Sequence, residues 1–176
     1  MQPTSKWLAV AACAALATFG TASTVHAQET APPYPQVLSV NPFGLLAEYV
    51  NAEYERAMTP TTSLGVSASY FGAFDEADYF SLEGKYRYYP QASGLAGFAL
   101  GGSLGYAQVS ANDGDGDKAS AFTVGVEADY NWLVGPSRRF FIGTGIGAKR
   151  LFGGDVDSDV PVVLPTLRLV NVGFAF

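Results

Sequence analysis

The stretch from Phe122 to Val134, FTVGVEADYNWLV, decides how this chain is read. Phe122, Val124, Val126, Ala128, Tyr130, Trp132 and Val134 are apolar or aromatic, while Thr123, Gly125, Glu127, Asp129 and Asn131 alternate with them until Leu133. A period of two is that of a β-strand, whose successive side chains leave on opposite faces. One face is therefore greasy and the other small and charged. Two carboxylates exclude a dry core behind the second face unless partners sit opposite them.

The same pattern recurs outward from this stretch. Leu46 to Ala57 sets Val50, Ala52 and Tyr54 against Asn51, Glu53 and Glu55. Ser63 to Phe71 sets Leu64, Val66, Ala68 and Tyr70 against small polar residues. Phe80, Leu82, Gly84, Tyr86 and Tyr88 alternate with Ser81, Glu83, Lys85 and Arg87. Further strands are expected at Val37 to Val40, around Phe98 to Tyr106, from Phe140 to Phe152, and at the chain end through Val170, Val172, Phe174 and Phe176. That makes eight, joined by turns and loops short enough for antiparallel neighbours. No helical period and no fixed-length repeat intervenes. The expectation is all-β: a closed antiparallel up-and-down barrel spanning 37–176.

The segment before it has a different character. Lys6 precedes an apolar run from Trp7 to Gly20, and Val25-His26-Ala27 has the small-x-small form of a signal-peptidase site. Residues 1–27 are expected to be a removed signal peptide, and 28–36 a Pro-rich leader. Val10-Ala11-Ala12-Cys13 has some likeness to a lipoprotein box, but the run before the cysteine is short and the chain stays apolar after it. Removing 1–27 takes away the single cysteine and the single histidine, and with them disulfides, thiolate nucleophiles, imidazole bases and the common zinc sites. Without Lys6, 9 basic against 16 acidic residues leave a net charge of −7, which argues against nucleic acid as a partner. No long apolar run follows the signal, so a membrane role requires a barrel.

Alternation alone also suits a soluble barrel with an apolar cavity. Three features favour a transmembrane one. The acidic connections 74–78, 112–117 and 155–159 fall at one end, as extracellular loops do, with turns at the other, periplasmic, end. Tyr54, Tyr86, Tyr88, Phe98, Tyr130, Trp132, Phe140, Phe174 and Phe176 gather on the greasy face near the turn end, where an interfacial girdle is expected. The last strand, Asn171-Val-Gly-Phe-Ala-Phe176, ends on an aromatic.

In this pattern the chain resembles the small eight-stranded outer-membrane barrels of the OmpA and OmpX type. The resemblance implies a Gram-negative outer-membrane location, contact with lipid and lipopolysaccharide, and a C-terminal strand read by the barrel-assembly machinery. It implies a monomer with no cofactor. Enzymes among barrels of this size use a catalytic histidine, which the mature chain lacks.

The inward charges are expected to be Glu53, Glu55, Glu83, Lys85, Arg87, Glu127, Asp129, Lys149 and Arg168. Five acids and four bases in a bore just wide enough for side chains point to an ion-pair network closing the lumen. A narrow channel or an apolar-ligand carrier is the alternative. Carboxylate pairs at i and i+2 follow from alternation and need no catalytic reading. Asp113-x-Asp115-x-Asp117 lacks the glycine and glutamate of a calcium loop. Gly101, Gly105, Gly143, Gly145 and Gly147 are expected to leave room for the long charged side chains. Arg168 has the wrong phase for the lumen, which predicts a bulge near Leu169 and Val170 that turns it inward, with Pro165 beyond the membrane level.

Overall fold

A computed structural model describes residues 34–44, 48–73, 77–111, 118–153 and 163–176. The expected signal segment, most of the leader, residues 45–47 with the expected strand start at Leu46, and loop residues 74–76, 112–117 and 154–162 lie outside the described residues.

Eight strands are present: β1 (Gln36–Val40), β2 (Tyr49–Thr59), β3 (Thr62–Ala73), β4 (Ala77–Tyr88), β5 (Gly97–Ala111), β6 (Lys118–Val134), β7 (Phe140–Phe152) and β8 (Val163–Ala175). They pair antiparallel in chain order, and β8 returns to β1 to close the barrel. Closure leaves no free edge where all eight take part, which is how an all-β chain satisfies its backbone without a partner. Pro60-Thr61, residues 89–96 and residues 135–139 connect strands at the turn end, where Tyr34 and Phe176 also lie. The other end carries the loops.

Register holds the two faces together around the wall. Val126 lies opposite Gly102 and Ala148, while Glu127 lies opposite Gly101 and Gly147. Val124, Val126 and Leu104 point outward and are exposed, Val126 by 67%. Lys85 and Glu127 are on the inside, with side chains only 10% and 13% exposed. A soluble carrier built on this pattern would show the reverse.

Two irregularities shape the wall. Gly143 pairs with Asn171 but Gly145 with Arg168, so β8 carries one extra residue at Leu169 and Val170. That bulge reverses the phase: Leu167 and Leu169 are exposed, and Arg168 turns inward. Pro165, expected beyond the membrane level, lies within β8 opposite Ala148, which is itself opposite the outward-facing Val126. The second irregularity is the length of β1. It pairs with β8 only from Val37 to Val40, so among the described residues β8 from Val163 to Asn171 has β7 as its one strand neighbour.

Candidate functional site: the lumen

Most of the long charged side chains project inward from positions flanked by small residues on adjacent strands, Glu55 opposite Val37 and Lys149 opposite Leu164 being exceptions. Glu83 is opposite Ser67 and Gly105, Lys85 opposite Gly65 and Ser103, Arg87 opposite Ser63 and Gly101, and Asp129 opposite Ala99 and Gly145. The glycines are sterically required at the tightest of these places. A Cβ on Gly145 would lie 2.0 Å from Asp129 Oδ1, and one on Gly101 2.8 Å from the Glu127 side chain.

Seven of the nine expected lumen residues form one cluster centred on Arg87, which is 1% exposed. Its Nη1 donates to Glu53 Oε1 at 2.7 Å and to Glu55 Oε2 at 2.8 Å. Its Nε donates to Asp129 Oδ2 at 2.8 Å. Glu127 Oε1 is also 2.8 Å from that Nε, yet it accepts no hydrogen bond. Glu127 therefore meets Arg87 as an ion pair without a formed hydrogen bond. Lys85 Nζ donates to Glu53 Oε2 at 2.7 Å and lies 3.4 Å from Glu127 Oε2. Arg168 reaches Glu53 and Asp129 at 3.5 Å each, and its guanidinium lies over the Phe141 ring. Glu83 and Lys149 pair with each other, separately and nearer the loop end.

Several groups that complete the cluster are absent from the sequence-based set. Tyr89 donates its hydroxyl to Glu55 Oε1 at 2.7 Å and accepts from Asn131 Nδ2 at 3.0 Å; Ser63 also donates to Glu55. Tyr89 lies beyond the end of β4. Burial, with the Glu55 carboxylate beside it, pushes its pKa well above the ordinary tyrosine value, which keeps the hydroxyl a donor. Tyr89 and Asn131 continue the inward phases of Glu83-Lys85-Arg87 and Glu127-Asp129, so extending each phase past the last charge would have found them.

Below the charges, toward the turn end, Val37, Leu95, Phe141 and Ala175 are buried in an apolar stopper, with Tyr34, Ala57 and Leu133 packed against it. Phe141 was legible as an aromatic on the inward phase of β7. Leu95 sits in the connection between β4 and β5, where no strand phase could point to it. From the cluster toward the loop end runs a polar cavity of about 90 Å³, lined by Glu53, Lys85, Glu127, Asp129 and Arg168 on the cluster side and by Asn51, Ser67, Glu83, Lys149 and Asn171 beyond it, but not by Arg87, Glu55 or Tyr89. Among the described residues no group of three or more Asp, Glu, His or Cys is placed to hold a metal ion.

On the outside, all nine girdle residues are exposed. The aromatics are not confined to the turn end, however. Tyr70, Phe80, Tyr106, Phe122 and Phe152 are exposed toward the loop end, where Tyr70 pairs with Phe80, and Phe122 lies between Tyr106 and Phe152. Between the two sets the outward residues include Leu64, Val66, Leu82, Leu100, Leu104, Val124, Val126, Ile146 and Leu167. Along β6, Phe122 to Trp132 spans on the order of 25 Å across the barrel wall, at about 3.3 Å per residue and a tilt of about 40°.

The architecture is that of a small eight-stranded barrel. No family model matches the chain, and no curated protein matches it by sequence. Its structure is similar to the crystal structure of the N-terminal β-barrel domain of Pseudomonas aeruginosa OprF, at 16% identity and a TM-score of 0.46, covering 81% of this chain and 98% of that one.

Proposed function

We propose that this is a non-enzymatic outer-membrane barrel protein of a Gram-negative cell, exported through a cleaved signal peptide, with a lumen plugged by its own charges. Its role is structural or one of surface interaction, and its surroundings are outer-membrane lipid and lipopolysaccharide. The C-terminal strand is its address to the assembly machinery, and it acts as a monomer.

One observation carries the reading: an apolar wall between two aromatic sets, on the order of 25 Å apart, matching the band of a transmembrane barrel, while the charges of the spanning strands pair inside. Arg56 and Arg150 are the outward cations of the strands nearest this band. Arg150 folds over the Phe152 ring at 4.8 Å, toward the loop end, as a snorkelling side chain does. The apolar stopper beneath the Arg87 cluster supports a blind lumen over a conduit.

Two measurements test this. Cell fractionation with boiled and unboiled gel samples should place the protein in the outer membrane as a heat-modifiable band. Purified protein in planar bilayers should give no stable conductance. Recovery in the aqueous periplasmic fraction would overturn the membrane reading, and steady channels would overturn the plug.

A further inference from the structure

The turn end carries a charge pattern that the lumen does not explain. Arg56, Arg138 and Arg139 are all exposed there, and among the described residues no Asp or Glu side chain lies at that rim, so that the three cations outnumber the Phe176 terminal carboxylate that lies between them. They occupy one continuous arc. Arg56 pairs in register with Gln36, Gln36 exchanges backbone hydrogen bonds with Phe176, and Ala175 donates its N–H to Arg139 O. The arc thus crosses three strand spacings, on the order of 15 Å. Exposed Tyr54, Met58, Phe140, Phe174 and Phe176 border it.

Two details bear on how the turn presents Arg138 and Arg139. The Arg139 guanidinium lies 5.0 Å from the Tyr34 ring centre and 5.8 Å from that of Phe174, so it is fixed over the aromatic border. Arg138 has φ 51°, a left-handed conformation that glycine would adopt with less strain. The turn therefore keeps a cation where backbone preference favours glycine.

We propose that this arc is a docking surface for anionic phospholipid headgroups of the periplasmic leaflet, and that it anchors that rim of the barrel. The proposal rests on the membrane reading above. Phosphodiester oxygens would meet the guanidiniums while acyl chains lie against Phe140, Phe174 and Phe176. Guanidinium suits this partner because its planar fork pairs two oxygens at once.

In the test, protein extracted from membranes is unfolded in urea and refolded into phosphatidylcholine vesicles, with or without phosphatidylglycerol, followed by heat-modifiable band and urea midpoint. Phosphatidylglycerol should raise the midpoint, and the R56Q/R138Q/R139Q variant should lose most of that increment. The expected loss is about fivefold per arginine, on the order of a hundredfold in the folding equilibrium constant for all three, fading at high salt. Arg138→Gly separates lipid contact from turn geometry. It should raise the midpoint in phosphatidylcholine by relieving the turn, while shrinking the phosphatidylglycerol increment.

Equal increments in wild type and variants would overturn the proposal while leaving the membrane reading intact. So would full recovery of the increment by inorganic phosphate in phosphatidylcholine vesicles, which would make the arc an anion site without lipid preference. Failure to insert into either vesicle would strike the membrane reading itself.

Discussion

The two halves of the lumen are built from the same alternating strands but solve opposite problems. Toward the turn end, Arg87 is shared by four carboxylates, Tyr89 and Asn131 extend the hydrogen bonding from Glu55, and an apolar cluster lies beneath. Toward the loop end, the inward residues shrink to Ser67, Ser69, Ser81, Ser103 and Thr123. There the one ion pair of the set, Glu83 with Lys149, borders a polar cavity that reaches down to Glu53, Lys85, Glu127, Asp129 and Arg168 but not to Arg87 or Glu55. The contrast shows that the number of charges does not decide how a barrel is closed. What decides is whether each charge is cut off from water, because only then does losing its partner become costly.

The sharpest way to break the contrast is to remove the cation at its centre. Arg87→Met strands Glu53, Glu55, Glu127 and Asp129 with only Lys85 and Arg168 near them. Breaking a buried ion pair from one side costs about 3–5 kcal/mol, so the heat-modifiable form should be lost or its urea midpoint should collapse. A midpoint within error of wild type would mean that solvent already reaches this layer.

Next in size is the stopper. Phe141→Ala removes a fully buried ring from between the wall and the Arg168 guanidinium and should cost about 3 kcal/mol. On the proposed plug, conductance should stay at zero, because the Arg87 layer would still close the bore. Channels in this variant alone would place the seal in the stopper instead of in the charges.

Glycine substitutions sharpen the comparison between inside and outside. Gly145→Ala drives a methyl into Asp129 and should cost about 1–3 kcal/mol through overpacking. Gly84 faces outward, and a Cβ there meets only Leu104 O at 3.8 Å. Gly84→Ala should be neutral or slightly stabilising in the urea midpoint. Equal losses at both positions would mean that backbone freedom, and not space for the carboxylate, is what the glycines supply.

Much of this was legible because a strand writes its two faces directly into the sequence. Glu127 and Val126 are assigned to opposite sides by parity alone, and the β8 bulge follows from the clash between Arg168 and the phase of Val170 to Phe176. Parity ends where strands end. Leu95 enters the stopper from a connection. The shortness of β1 also escapes the pattern, because Val37 to Val40 reads the same whether or not β8 continues beyond it. Which acid meets which base depends on strand stagger around the barrel, and alternation within one strand says nothing about that: Arg87 finds Asp129 across an intervening strand.

The smallest expected loss belongs to the outer pair. Glu83 is 3% exposed, which taken alone would suggest a penalty as large as that at Arg87. Its Oε2 nevertheless has no protein hydrogen-bond partner, and Lys149 is 23% exposed. Arg87 Nη2 in the inner cluster is equally unserved, so it is the exposure of the Lys149 ammonium, against 1% for Arg87, that lets solvent screen the outer pair. Lys149→Met should therefore cost about 1 kcal/mol or less, near the range of exposed pairs, and rising salt should lower the wild-type midpoint toward that of the variant. If Lys149→Met were instead as damaging as Arg87→Met, the outer cavity would be dry and the two halves of the lumen would be one continuous plug.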